Sequence, residues 1–286
     1  MNTTTLACRA NADDSLGAIL PNAFKRFWAV FKKLWLGYLA VFIPLNIIYW
    51  LLFTLLNLWI GDKLNLVQTM RIGNCLDKLL NGTVGLICIA ATMLAIRDLE
   101  ENRDFTLVGT FKQAILRWGV TFAAVFLVGL ATGVLTCFCI VPGIIFGIYF
   151  IFAVTIAVLG DGTITGAFAA SKSLVNNRWW ETFGIVVILG LSTAAVSIPG
   201  GVVAIFGAIP LGVVQALEAE GESIANGVKI VLHVLEFFGT VVGGTLVDIA
   251  ELLLPSGIVV LYLRRKANSR LTADNQAMAI SQQTGS

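Results

Sequence analysis

Residues 141–184 read VPGIIFGIYFIFAVTIAVLGDGTITGAFAASKSLVNNRWWETFG. A Pro-Gly break, Pro142-Gly143, precedes a membrane-length apolar run, which Gly160-Asp161-Gly162 closes as a turn. The next segment is short and rich in small residues (Gly166, Ala167, Ala169, Ala170, Ser171, Ser173), ends in Asn176-Asn177, and is followed by Trp179-Trp180. This order describes a chain that crosses a bilayer, lies along its surface and re-enters it. Pro142 and Gly143 are expected to reverse the chain between two antiparallel spans. Asp161 is placed to cap a helix beginning near Thr163. The small residues permit close packing, and the tryptophan pair suits the headgroup level.

The rest of the chain has the same character. Of its 286 residues 57% are hydrophobic and 13% charged, with mean hydropathy +0.87, where a soluble domain carries about a quarter charged residues. Apolar stretches of membrane length recur, so the fold class is all-α, a polytopic membrane bundle of about six transmembrane helices with interfacial amphipathic helices. The spans are read at 34–60, with Pro44 as a kink, 82–96 (too short alone, hence beginning earlier), 119–141, 144–159, 182–206 (interrupted at Pro199-Gly200-Gly201), and a final helical region from 223 to 263, broken by Pro255. Before the first span, Leu16, Ile19, Leu20, Phe24, Phe27, Trp28 and Phe31 recur at spacings of three and four between Lys25, Arg26, Lys32 and Lys33, which predicts an interfacial amphipathic helix. Residues 61–81 read as a loop leading into the second helix. Phe111, Ala114, Ile115 and Trp118 form one face of a surface helix. Residues 1–15 read as a flexible N-terminus, 16–266 as the membrane domain and 267–286 as a disordered, cytoplasmic tail.

Six crossings put both termini on one side. Fifteen Lys and Arg then fall on the terminal side and four (Lys63, Arg71, Lys78, Lys229) on the other, which predicts cytoplasmic termini. The loop between spans five and six carries Glu218, Glu220 and Glu222 instead. No basic arm with interleaved aromatics suggests a nucleic-acid partner. Five scattered cysteines and the single histidine, His233, give no metal-site spacing, and no GxSxG, HExxH or P-loop pattern occurs. The expectation is therefore no enzyme, no catalytic residue, no metal and no cofactor.

The quoted stretch resembles the membrane domain of bacterial glycerophosphoryl diester phosphodiesterases and the related YciC-like multi-pass inner-membrane proteins. The residues that carry it are Pro142, Gly143, Asp161, Ala167, Ser171, Leu174 and Trp179, with the amphipathic N-terminal helix and the ending Tyr262 to Arg265 in agreement. Asp161 stands where glutamate is usual, and Asn-Asn where a glycine is common. The resemblance covers roughly 16–267 and implies the six-helix module in a bacterial-type inner membrane. The phosphodiesterase activity of that family resides in a separate soluble domain with several histidines, and this chain has one.

One further pattern crosses the last helical region. Asn226, Lys229, His233, Glu236, Thr240, Gly243, Val247 and Glu251 follow spacings of three and four, with Asp248 beside them. Ionisable groups in a membrane are costly and normally face a bundle interior or water. Lys229, His233, Glu236, Asp248 and Glu251 are thus a candidate polar pathway, in which His233 and Glu236 exchange a proton or grip a polar substrate, or a docking face for a partner subunit. The alternative makes 223–240 an interfacial helix with a wet polar face. Gly239-x-x-x-Gly243 adds a close-packing face. The reading is a non-catalytic multi-pass protein, a scaffold or accessory subunit in contact with the lipid bilayer and a partner membrane protein or further copies of itself. The alternative is a transporter or lipid-handling protein.

Overall fold

The structure, a computed structural model, describes residues 16–60, 66–219 and 225–284, and these are helical with short turns and no strand. The N-terminus, 1–15, and the acidic residues Glu220 and Glu222 lie outside the described residues. In order the elements are α1 (Leu16–Ile60), α2 (Leu66–Leu80), a π-helical turn (Asn81–Gly85), α3 (Leu86–Glu100), α4 (Leu107–Leu116), α5 (Trp118–Phe138), α6 (Ile140–Tyr149), α7 (Ala153–Leu159), α8 (Ile164–Val175), α9 (Trp179–Ala219), α10 (Asn226–Glu251) and α11 (Leu253–Thr284). Among the described residues six helical stretches are long and apolar enough to cross a bilayer: Ile19–Trp59, Arg71–Glu100, Trp118–Phe138, Ile140–Leu159, Trp179–Gly207 and Asn226–Arg270. The all-α membrane bundle is the fold observed. The second span does begin earlier than 82, within α2.

The boundaries differ from the sequence reading in five places. The segment expected at the interface runs straight into the first span as α1, because the buried spacing Ile19, Ala23, Phe27, Val30, Leu34, Tyr38 continues without a break. Trp28, Trp35 and Trp59 stand exposed along the same helix. Residues 66–80 are helix rather than loop. Pro199 does not interrupt α9. The break near Pro255 falls three residues earlier, at Leu252, because proline in the first turn of α11 has no N–H to offer the carbonyl of Glu251. The stretch read as a disordered tail is helix through Thr284.

The chain divides into two compact units. The first takes its described residues from 16–31, 90–190 and 253–284. Here the reversal between α5 and α6 is made by one extended residue, Cys139 (φ −163°, ψ 126°), not by Pro142-Gly143. Pro142 sits in the first turn of α6, where its missing N–H costs nothing. Gly143 faces Thr136: a Cβ there would stand 2.9 Å from the Cα and Cβ of Thr136 and closer still to its hydroxyl. Close packing of the hairpin is what requires glycine. At the end of α7, Gly160 takes the left-handed conformation (φ 75°) that terminates a helix. The Arg117 guanidinium donates to the carbonyl of Val158 at 2.7 Å, placing a cation where the helix dipole favours one.

The second unit takes its described residues from 32–60, 66–89, 191–219 and 225–252. It is organised by a crossing of α9 and α10 at glycines. A Cβ on Gly239 would lie 2.6 Å from Gly207 Cα, one on Gly200 would lie 2.9 Å from the carbonyl of Gly243, and one on Gly243 would lie 2.7 Å from the carbonyl of Gly200. The Gly239-x-x-x-Gly243 face is therefore used, and Gly200 of the Pro-Gly-Gly stretch belongs to the same crossing. In lipid, helices are not driven together by the hydrophobic effect, so close backbone approach supplies dispersion contacts instead. Trp50 packs edge-on against Phe237, ring centroids 5.0 Å apart. We expect Gly239→Ala and Gly243→Ala each to destabilise the detergent-solubilised protein by about 1–3 kcal/mol through overpacking. Gly201→Ala, with open space around the position, is expected to be neutral in the same unfolding titration.

Candidate functional site

The residues singled out in 142–179 converge in the first unit, although not in the roles expected of them. The apolar run breaks at Phe150–Phe152, between α6 and α7, which frees backbone groups in a segment of membrane character. Ser171, fully buried on α8, answers both sides of the break: its Oγ donates to the carbonyl of Tyr149 at 2.8 Å and accepts from the N–H of Phe152 at 3.2 Å. Ala167 and Val175, one turn away on either side, are buried on the same face. Gly166, Ala169 and Ser173 are exposed, so the small-residue character of α8 serves packing on one stripe alone.

Asp161 does not cap α8. Thr163 does, accepting from the N–H of Gly166 at 3.2 Å. Asp161 turns instead to α11, where its Oδ2 accepts from the Tyr262 hydroxyl at 2.7 Å and meets Lys266 Nζ at 2.6 Å. Partial burial works against its charge, but the hydrogen bonds from Lys266 and Tyr262, together with the charges of Lys266 and Arg270, outweigh it and hold the carboxyl below the usual carboxylate range. Three residues along α11, Arg265 is buried. Its Nη1 donates to the Thr182 hydroxyl at 2.7 Å and to the carbonyl of Leu174 at 3.2 Å, its Nη2 lies 3.6 Å from Glu181, and its guanidinium carbon stands 5.6 Å from the Phe152 ring centroid. Leu174 thus contributes a backbone oxygen. Trp179 stacks on Phe183 at 5.3 Å, and Trp180 stands exposed beside it. Chemically the cluster is an ion pair and a guanidinium clamp that fasten α11 to the α7–α8 turn, the end of α8 and the start of α9.

The polar stripe of α10 does not assemble as one site. His233 and Glu236 approach to 3.4 Å, one turn apart, with His233 half exposed. Lys229 is half-buried and Glu251 exposed. Asp248 lies 12 residues beyond Glu236, about 18 Å along the axis at 1.5 Å per residue. It is buried, and its partners come from elsewhere: Asn46 Nδ2 donates to its Oδ2 at 2.7 Å, and Asn81 Nδ2 to its Oδ1 at 3.1 Å. Asn81 Nδ2 also lies 2.9 Å from Asp77 Oδ1. An isolated carboxyl in hydrocarbon costs several kcal/mol, and these amides offset it. The sequence reading missed both asparagines. Asn46 carried the available signal, an amide inside the apolar run of the first span, which holds a second at Asn57. Asn81 opens the π-helical turn, whose wider spacing no periodicity argument anticipates.

Comparison of the chain with family models, with curated proteins and with solved structures gives no match.

Two outcomes follow from this geometry. Ser171→Ala leaves the Tyr149 carbonyl and the Phe152 N–H unsatisfied and is expected to lower stability by about 1–3 kcal/mol in a denaturant titration, with Ser171→Thr milder. Because the folded Asp161 carboxyl titrates below its unfolded value, its ion pair adds stability that is complete above about pH 4 and is lost as the pH falls through the lower, folded value. Unfolding curves of the wild type and of Asp161→Asn are therefore expected to differ at neutral pH and to converge in acid.

Proposed function

We propose that this chain is a non-catalytic, multi-pass membrane protein that serves as a scaffold or accessory subunit of a membrane complex. The observation that supports the reading is how the polar side chains of the apolar stretches are used. Asp248 is held by Asn46 and Asn81, Ser171 closes a backbone break, and Arg265 is spent on a carbonyl and a hydroxyl. Such groups fix helices against one another and leave the apolar outer faces for lipid or for another membrane protein. The reading takes the basic excess as cytoplasmic, with both termini on that side of a bacterial-type inner membrane. It also takes residues 16–267 as similar to the six-helix module of the phosphodiesterase-linked and YciC-like families.

A second reading, a transporter or lipid-handling protein, is favoured by one feature. A buried carboxyl, Asp248, contacts a π-helical turn through Asn81, and π turns recur at functional sites.

Gentle detergent extraction separates the two. A scaffold is expected to co-purify with a stoichiometric membrane partner or as a defined homo-oligomer, and repeated purification as a lone monomer would overturn it. Transport instead requires that His233→Ala, Glu236→Ala or Asp248→Asn abolish function while insertion into the membrane stays intact. Normal function with all three changed would end the second reading.

A further inference from the structure

In the scaffold reading the buried carboxyl of Asp248 is a tie between helices and nothing more. Its surroundings are those of a group that changes charge. Each oxygen has one amide donor, Asn46 Nδ2 on Oδ2 at 2.7 Å and Asn81 Nδ2 on Oδ1 at 3.1 Å, and no ion pair reaches it among the described residues. The charged neighbours do not neutralise it. From α2, Asp77 shares the Asn81 amide at 2.9 Å, and the mostly exposed Lys78 lies 3.6 Å from Asp77 rather than from Asp248. Cys88 of α3 and Glu251 of α10 are within electrostatic reach of Asp248, and Tyr49 of α1 is within reach of Asp77. α9 has no ionisable side chain between Leu191 and Gly207. Two amide bonds offset part of the cost of an ionised carboxyl in hydrocarbon, whereas a proton removes the charge itself.

Two oxygens beside the carboxyl point to that proton. Asn81 Oδ1 is buried and has no hydrogen-bond partner. The hydroxyl of Thr245 has none either, although the residue is only 5% exposed and lies one turn before Asp248 on α10, where side chains three apart are neighbours. An ionised carboxyl is an acceptor alone and gives neither oxygen a donor, but a protonated one carries an O–H. Turning the Asn81 carboxamide over brings Oδ1 to the place of Nδ2 as an acceptor for that O–H, and gives up the bond to Asp77.

We propose that Asp248 is a proton-binding site, with Asn81 turning between the ionised and the protonated carboxyl. One O–H bond forms on Asp248, with a proton drawn from water, and the charge of the group goes from −1 to 0. Asp77, with a side chain 32% exposed, marks the side from which water has access. The inference goes beyond both functional readings, since its readout needs neither a partner nor transport.

The test is infrared spectroscopy of the full chain in detergent, recorded as the pH is stepped across the range in which the protein stays folded. The difference between wild type and Asp248→Asn is expected to hold one carboxylic-acid C=O band that gives way to carboxylate bands as the pH rises. Asp104→Asn, at an exposed position in the other unit, is expected to leave that band in place. Asn46→Ala removes a donor to the ionised form and is expected to tighten proton binding about tenfold, read as a shift of about one pH unit in the midpoint of the band. That shift identifies the carboxyl even where Asp248→Asn does not fold. A band that is absent at every pH, or constant at every pH, would overturn the proposal, and so would a midpoint that Asn46→Ala leaves unmoved.

Discussion

A lipid interior offers no hydrogen bonds, so any backbone group released inside it must be answered by the protein itself. The break between α6 and α7 is where that constraint acts most sharply. Tyr149 and Phe152 expose a carbonyl and an N–H, and one hydroxyl, that of Ser171, is both donor and acceptor to them. α8 must lie against the break to deliver that hydroxyl, which fixes the turn of Gly160, Asp161 and Gly162 that precedes it. With the turn fixed, Asp161 reaches Tyr262 and Lys266, and the end of α8 presents the Leu174 carbonyl to Arg265. A single polar contact thus sets the geometry in which the ion pair and the guanidinium clamp form.

The second unit solves a different problem by different means. Without a hydrophobic drive between helices in lipid, association depends on how closely backbones approach and on the few polar groups that meet. Gly200, Gly207, Gly239 and Gly243 supply the approach of α9 and α10. Asn46 and Asn81, from α1 and the π-helical turn, supply the polar contact to α10 through Asp248. The two devices are complementary: the glycines are permissive, since they merely allow contact, whereas the amides specify register, because a carboxyl displaced by one residue would lose both.

What could be read from the sequence was governed by how local each feature is. Apolar runs and their lengths depend on neighbouring residues alone, and the six crossings were visible. The small-residue face of α10 was visible for the same reason, although its partner Gly207 was not. Pro142-Gly143 and Asp161 were recognisable as distinctive but misassigned, since proline in a first turn and proline in a reversal look alike in one dimension. The turn falls to Cys139, whose extended backbone has no sequence signature. Asp161 illustrates the limit most clearly. Its cap role was the local inference, but Thr163 stood two residues on and took it, and the partners of Asp161 lie about a hundred positions away on α11. The asparagines around Asp248 lie farther off still, 202 and 167 positions away along the chain.

The aromatic residues of α1 have a consequence of their own. Trp35 and Trp59 are exposed on one continuous helix, 24 residues apart, which is about 36 Å of axial rise. That interval exceeds a hydrocarbon layer of about 30 Å and falls short of the about 40–45 Å that includes both headgroup regions. Indole rings held at those two heights settle at opposite interfaces only when the bilayer is neither much thinner nor much thicker than the interval between them. In a thinner membrane the helix must lean, and in a thicker one the lipid must compress around it. The spacing of the two indoles therefore matches a bilayer of ordinary thickness.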